Sequence, residues 1–278
     1  MKKFIEINGK KNFIYSYGQG SITLVLLSGS GIPFPNFEYM SLAKTLAKTY
    51  RVIGIEKLGY GHSDLSENNR NINVVVHEYR CILQELGIKT PIVLVAHSVG
   101  FLEALRWGQQ NPSEIAGIIG IDPATPECYN RDFNIDDATN KLIELSNDEH
   151  LRKVTTNALI EQLVEEHCIP LIEKKELENV LYHNLANQNW ISEAKNLRNT
   201  IALIERDNPY LQIPMLFFIS NGEGTGIEKQ SWINHPLQYL NNIKIAQYEL
   251  FDYPHNLYKF VYKEIAEISE KFLSKYLV

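Results

Sequence analysis

Five short stretches of this chain are apolar at nearly every position: Thr23-Leu24-Val25-Leu26-Leu27, Arg51-Val52-Ile53-Gly54-Ile55, Ile92-Val93-Leu94-Val95-Ala96, Gly117-Ile118-Ile119-Gly120-Ile121 and Met215-Leu216-Phe217-Phe218-Ile219. A strand with one wet face alternates apolar and polar residues, whereas a strand apolar throughout needs cover on both faces. The segments between the first four have helical spacing. Residues 37–49 carry Met40, Ala43 and Leu46 on one side, and 73–86 carry Val75, Val76, Tyr79, Ile82, Leu83 and Leu86, with Gly87 as a helix stop. A third helix is predicted over 101–110. This alternation implies an α/β fold: an open, mostly parallel sheet with right-handed crossovers and helices on both faces. Ahead of it, Phe4-Ile5-Glu6-Ile7 and Asn12-Phe13-Ile14-Tyr15-Ser16-Tyr17 read as a hairpin turning at Asn8-Gly9.

The alternation stops after Asp122. Residues 124–208 hold no convincing strand and read instead as charged amphipathic helices near 137–146, 151–167, 171–187 and 191–206. The β-pattern returns at 215–219 and 244–251. The chain closes on a predicted helix over 257–277, with Phe260, Val261, Ile265, Ile268, Phe272 and Leu273 on its apolar face. The expected organisation is therefore a core of 1–123 and 209–278, with a helical cap, 124–208, inserted after the sixth strand.

Composition narrows the function classes. The net charge is −6, with no basic face to hold nucleic acid. No apolar run approaches the ~20 residues that span a bilayer, so no membrane anchor is expected. The N-terminus lacks the apolar core of a secretory signal. Cys81, Cys128 and Cys168 are odd in number and scattered, which fits free thiols in a cytoplasmic protein rather than a disulfide framework. No histidine pair has ligand spacing, and no phosphate-cradling or dinucleotide loop occurs, so neither metal nor cofactor is expected. The expected partner is a small-molecule substrate, with the chain a monomer or homodimer.

The strongest chemical signal is Val93-Leu94-Val95-Ala96-His97-Ser98-Val99-Gly100, in which a buried strand runs into small-x-Ser-x-Gly and then a helix. Small residues around the serine allow a sharp turn that lifts its side chain above the sheet. A helix N-terminus beneath it favours developing negative charge. The bland alternative is a buried serine capping a helix. With this motif in place, the chain resembles the α/β-hydrolase fold superfamily, of the lidded esterase kind. Leu26-Leu27-Ser28-Gly29-Ser30-Gly31 is similar to that family's His-Gly-x-Gly loop, with Ser28 for the histidine. Glu56-Lys57-Leu58-Gly59-Tyr60-Gly61-His62-Ser63 is similar to its D-x-x-G-x-G-x-S stretch, with Glu56 for the aspartate.

The resemblance implies roles. Ser98 is the expected nucleophile and His255, between the last strand and the last helix, the expected base. The N–H groups of Ser30 and Val99 form the expected oxyanion hole. Gly29, Gly31, His97 and Tyr129 are expected around the substrate, with Phe133, Trp190 and Tyr210 as further candidate walls. Two acids are open: Asp122 after the sixth strand, which is favoured, and Glu223 after the seventh. His62 is a candidate pocket residue. His77, His150, His167 and His183 are expected on helices at the surface or lid, and His235 in a peripheral segment. The implied activity is acyl transfer from a small or medium ester, thioester or amide to water. A ligand-binding protein of the same fold and a cofactor-free peroxidase stand as alternatives. So does a membrane-attached lipase. An aspartate nucleophile, as in dehalogenases and epoxide hydrolases, is at odds with Ser98.

Overall fold

The computed structural model describes residues 1–277; Val278, the last residue of the expected core, lies outside the described residues. Eight strands form one sheet: β1 (Lys2–Ile7), β2 (Lys10–Tyr17), β3 (Thr23–Leu27), β4 (Arg51–Ile55), β5 (Ile92–His97), β6 (Ile115–Ile121), β7 (Met215–Ile219) and β8 (Ala246–Leu250). Their order is β1-β2-β4-β3-β5-β6-β7-β8. β2 is antiparallel to both β1 and β4, and every pairing from β4 to β8 is parallel. The β1–β2 turn lies at Asn8 and Gly9, both left-handed in φ, as a two-residue hairpin requires.

The fully apolar strands serve two cores. Val25, Ile53, Leu94, Ile118 and Phe217 face one side of the sheet, and Leu24, Val52, Val93, Ile119 and Phe218 face the other. The first face is covered by α3 (Ile72–Glu85), α4 (Gly100–Gln110) and α10 (Lys229–Leu240). The second is covered by α2 (Met40–Leu46), α11 (Leu257–Phe260) and α12 (Tyr262–Tyr276). Each such side chain contributes roughly 1.5–3 kcal/mol through burial, which is why polar residues in these strands are confined to their ends: Thr23, Arg51 and His97.

Between β6 and β7 the chain is helical: α5 (Pro126–Arg131), α6 (Ile135–Asn147), α7 (Glu149–Glu165), α8 (Lys174–Asn184) and α9 (Gln188–Arg206). A third apolar cluster joins this segment to the sheet domain. Ile160, Leu163, Leu177, Leu181 and Trp190 pack on Phe34, Phe37 and Tyr60. Tyr60 and the Trp190 indole stack at 5.0 Å, and the Trp190 N–H donates to the Gly59 carbonyl at 2.9 Å.

Several boundaries differ from the sequence reading. The helix expected over 37–49 is two, α1 (Pro35–Glu38) and α2, with Tyr39 between them at φ −87 and ψ 3. The closing helix breaks at Val261, whose φ of −117 leaves the helical region. Phe260 is consequently half exposed and stacks on Tyr253 rather than on the core. His235 was expected in a peripheral segment. It is buried within α10, where Nε2 meets the Asp132 carboxylate at 2.5 Å. His167 lies in the turn after α7, not on a helix, and is exposed.

Candidate active site

The C-terminal ends of the parallel strands bring three loops together, the place where open α/β sheets bind ligands. At the first, β5 turns into α4 through Ser98, whose φ of +52 lies in the left-handed region. A non-glycine residue there is strained by ~1–3 kcal/mol. Gly100 makes the turn possible: a Cβ there would lie 2.7 Å from the Leu27 carbonyl oxygen. The second loop, after β3, passes equally close. A Cβ on Gly29 would lie 2.7 Å from His97 Nδ1 and 3.1 Å from Ser98 Cβ. Among the described residues, the N–H groups of Ser30 and Val99 have no hydrogen-bond partner.

The third loop follows β6. Asp122 is fully buried, with φ +47. Its Oδ1 accepts from the Ser220 N–H at 2.7 Å and the Trp232 indole N–H at 2.9 Å. Its Oδ2 accepts from Ser220 Oγ at 2.6 Å and lies 2.5 Å from His255 Nδ1. Four contacts suit an ionised carboxylate, which is acceptor-only. His255 rests between the Trp232 and His97 rings, with centroids at 5.3 and 4.6 Å. Glu223 makes no such contact. Its side chain is exposed, and only its backbone carbonyl reaches His255, accepting from the His255 N–H at 2.8 Å.

A cavity of about 280 Å³ opens beside these loops. Ser30, Ser98, Val99, Tyr129, Phe133 and His255 line it. Gly29, Gly31, His97 and Trp190 do not, although all but Trp190 adjoin Ser98 or its neighbouring loop. His97 lies behind the serine, buried, with Nε2 at 3.3 Å from the His255 carbonyl. Burial, with the nearby His255 charge adding to it, pushes the His97 pKa well below the ordinary histidine range. His62 turns to Glu56 and the Phe13, Phe34 and Phe37 rings rather than into the cavity. Tyr210 packs tilted against Tyr239, its ring 5.4 Å away, and does not line the cavity. Cys128 lines the cavity, but burial holds its thiol up at about 12, so it stays protonated.

A family model described as the alpha/beta hydrolase fold matches residues 23–259, the span that runs from β3 to α11 and carries all three loops. The chain belongs to the α/β-hydrolase fold family. Over 125 residues it is 36% identical to the uncharacterized protein YbdG of Bacillus subtilis, covering 45% of this chain and 38% of that protein. A second Bacillus subtilis protein, the uncharacterized YqjL, is 25% identical over 116 residues, 42% of this chain and 45% of that one. The matches span less than half the length of either relative. Solved structures superpose over nearly the whole chain. An esterase from Thermogutta terrifontis has a TM-score of 0.75 at 14% identity, with 100% of both chains covered. A candidate epoxide hydrolase from Pseudomonas aeruginosa has 0.78 at 14%, with 99% of this chain and 96% of that one covered. The enol-lactonase of Burkholderia xenovorans LB400 has 0.71 at 14%, with 98% and 100% covered. At these identities the likeness is one of fold.

Sequence reasoning missed part of this α/β hydrolase's site. Trp232 supplies a donor to Asp122 from α10, an element the sequence did not suggest. Lys57, Arg70, Glu103 and Glu193 form a buried charged wall, and three of them line the cavity. Lys57 follows Glu56 inside the quoted loop motif, and Glu103 lies one helical turn beyond the serine. Two charges beside apolar runs were the available signal. Among the described residues no cluster suited to a metal ion occurs, and no helix is long and apolar enough to cross a membrane.

Proposed function

We propose that this chain is a serine hydrolase that transfers an acyl group from a small or medium carboxylic ester, thioester or amide to water. The observation that carries the reading is the shared cavity of Ser98 and His255, with Asp122 at 2.5 Å from the far ring nitrogen of His255. Ser98 Oγ attacks the substrate carbonyl while His255 Nε2 takes its proton. Asp122 holds Nδ1–H and stabilises the imidazolium that forms. The N–H groups of Ser30 and Val99 meet the oxyanion. Collapse of the tetrahedral intermediate breaks the bond to the leaving group, which takes the proton from His255. Water then gives a proton to His255 as its oxygen bonds the acyl carbon, and the second tetrahedral intermediate breaks the bond to Ser98 Oγ, which takes that proton back as the acid leaves. The helical segment 124–208 acts as the cap, supplying Tyr129 and Phe133 to the cavity wall.

A fluorophosphonate probe tests this. Wild type is expected to label and Ser98→Ala to stay unlabelled, both shown folded by circular dichroism. Failure of the folded wild type to label leaves a ligand-binding protein of this fold as the reading.

A further inference from the structure

The wall of the cavity contributed by Arg70, Glu103 and Glu193 is unlike the rest. Val75, Leu102, Phe133, Leu142 and Leu197 make the neighbouring lining apolar. Arg70, in the loop before α3, is fully buried and gives Nη1 to both Glu78 oxygens at 2.6 and 2.7 Å. Its other edge faces Glu193 of α9. Nε lies 3.6 Å from Glu193 Oε1, beyond hydrogen-bond reach. Arg70 Nε, Arg70 Nη2 and Glu193 Oε1 are all buried without a hydrogen-bond partner. Glu193 Oε2 is taken up by Lys57 at 3.2 Å and Tyr60 at 2.8 Å, and Glu103 by Lys57 at 2.9 Å and Tyr79 at 2.8 Å.

Orphaned buried donors and acceptors are costly to leave unpaired, and a buried ionic network is often no more stable than apolar packing in its place. Stability therefore gives no account of this wall. A ligand does. The unpaired edge of Arg70 offers donors, and Glu193 Oε1, beside it, offers an acceptor. A group that both accepts and donates satisfies the two at once. A carboxylate would satisfy only the arginine, and would enter a network that already holds three carboxylates against two cations. An ammonium would satisfy only the glutamate.

We propose that this wall recognises a neutral hydroxyl carried on the substrate at a distance from the scissile bond, so that the preferred substrates are hydroxylated esters or thioesters rather than plain alkyl ones. The inference rests on Ser98 being the nucleophile of the same cavity.

The test measures acid release from two matched series: phenyl esters of four- to eight-carbon acids with and without a terminal hydroxyl, and acetates of the corresponding alkanols and diols. In one series, at one chain length, the hydroxylated member is expected to exceed its alkyl twin in kcat/KM by about ten-fold or more, because the twin leaves the wall unpaired. Arg70→Met should bring that ratio toward one, and Glu193→Met serves if the first variant does not fold. A wild-type ratio near one throughout, or a preference for terminal carboxylates added to the acid series, overturns the inference. The fluorophosphonate label separates the two failures: labelling with no hydroxyl preference sinks this inference alone, and no labelling sinks both.

Discussion

Ser98 and Asp122 are strained in the same way and brace each other. Both have φ near +50, at the ends of the adjacent strands β5 and β6. The Ser98 N–H donates to Ile121 at 3.3 Å, and the Ser98 carbonyl accepts from Ala124 at 3.2 Å, so backbone bonds bracket Asp122 on both sides. The Asp122 N–H is held in turn by Phe218 of β7 at 2.6 Å. Rigid strands thus hold two side chains in backbone conformations that isolated residues avoid.

Relieving that strain should stabilise the fold. The left-handed region costs a non-glycine residue ~1–2 kcal/mol, and glycine's chain entropy takes back ~0.5–1 kcal/mol. Ser98→Gly is expected to abolish fluorophosphonate labelling while raising the melting temperature by about 1–3 °C. Scanning calorimetry checks this, and a lowered melting temperature would mean the serine side chain is a net stabiliser.

The proposed acid rests on its contacts. Asparagine at 122 would replace one carboxylate oxygen by an NH2, turning it toward either the Ser220 N–H and Trp232 indole or the Ser220 hydroxyl and His255 Nδ1. Asp122→Asn is therefore expected to lower kcat by about 10³–10⁴. Glu223→Gln, at an exposed side chain, should stay within about two-fold. Steady-state hydrolysis of an aryl ester decides between them. The reverse order would move the acid to the loop after β7.

These results mark what the sequence could reveal. The doubly covered strands were legible because alternate residues such as Leu24 and Val25 must both be apolar when each faces a core. The sharp turn at Ser98 was legible because strand, small residue, serine, glycine and helix are local. The choice between Asp122 and Glu223 was left open because the contacts that favour Asp122 are not local. Ser220 and Trp232 lie 98 and 110 residues beyond Asp122. Pro236 disguised α10, since a proline inside a helix removes a backbone bond, and nothing local showed that Asp132 would draw His235 into the interior. The Lys57–Glu103–Glu193 wall spans three separate elements, and the charges beside apolar runs gave no sign that they meet.

His97 gives the fold a pH dependence. In the unfolded chain its imidazole takes a proton near pH 6.5. In the fold, burial and His255 keep it neutral until well below that. Between the two values the unfolded state binds more protons, so this contribution is present above about pH 6.5 and is lost as pH falls, with a slope of up to ~1.4 kcal/mol per pH unit. His97→Leu is expected to flatten the fall of urea-unfolding stability between pH 6.5 and 4.5. Parallel curves for the two proteins would mean that other groups carry the acid sensitivity.

The start of α9 should be a stability hot spot with a functional consequence. Asn189 is buried, and its side chain clamps one residue of the sheet domain from both sides: Oδ1 accepts the Ser66 N–H at 2.9 Å and Nδ2 donates to the Ser66 carbonyl at 2.7 Å. Asn187 adds a bond from Nδ2 to Gly59 at 2.7 Å. A Cβ on Gly59 would lie 2.6 Å from Asn189 Cβ, so the two segments touch with no slack. Removing the amide leaves a buried N–H and a buried C=O unpaired, at ~1–3 kcal/mol each. Asn189→Ala is therefore expected to lose about 2–4 kcal/mol in urea unfolding. Asn196→Ala, about two turns further along and bonded to Asn69 at an exposed position, should lose less than about 0.5 kcal/mol. Because Glu193, Ala194 and Leu197 of the same helix line the cavity, loosening its anchor should raise KM more than it lowers kcat. A full-strength loss of kcat with KM unchanged would show instead that α9 acts on the chemistry and not on substrate binding.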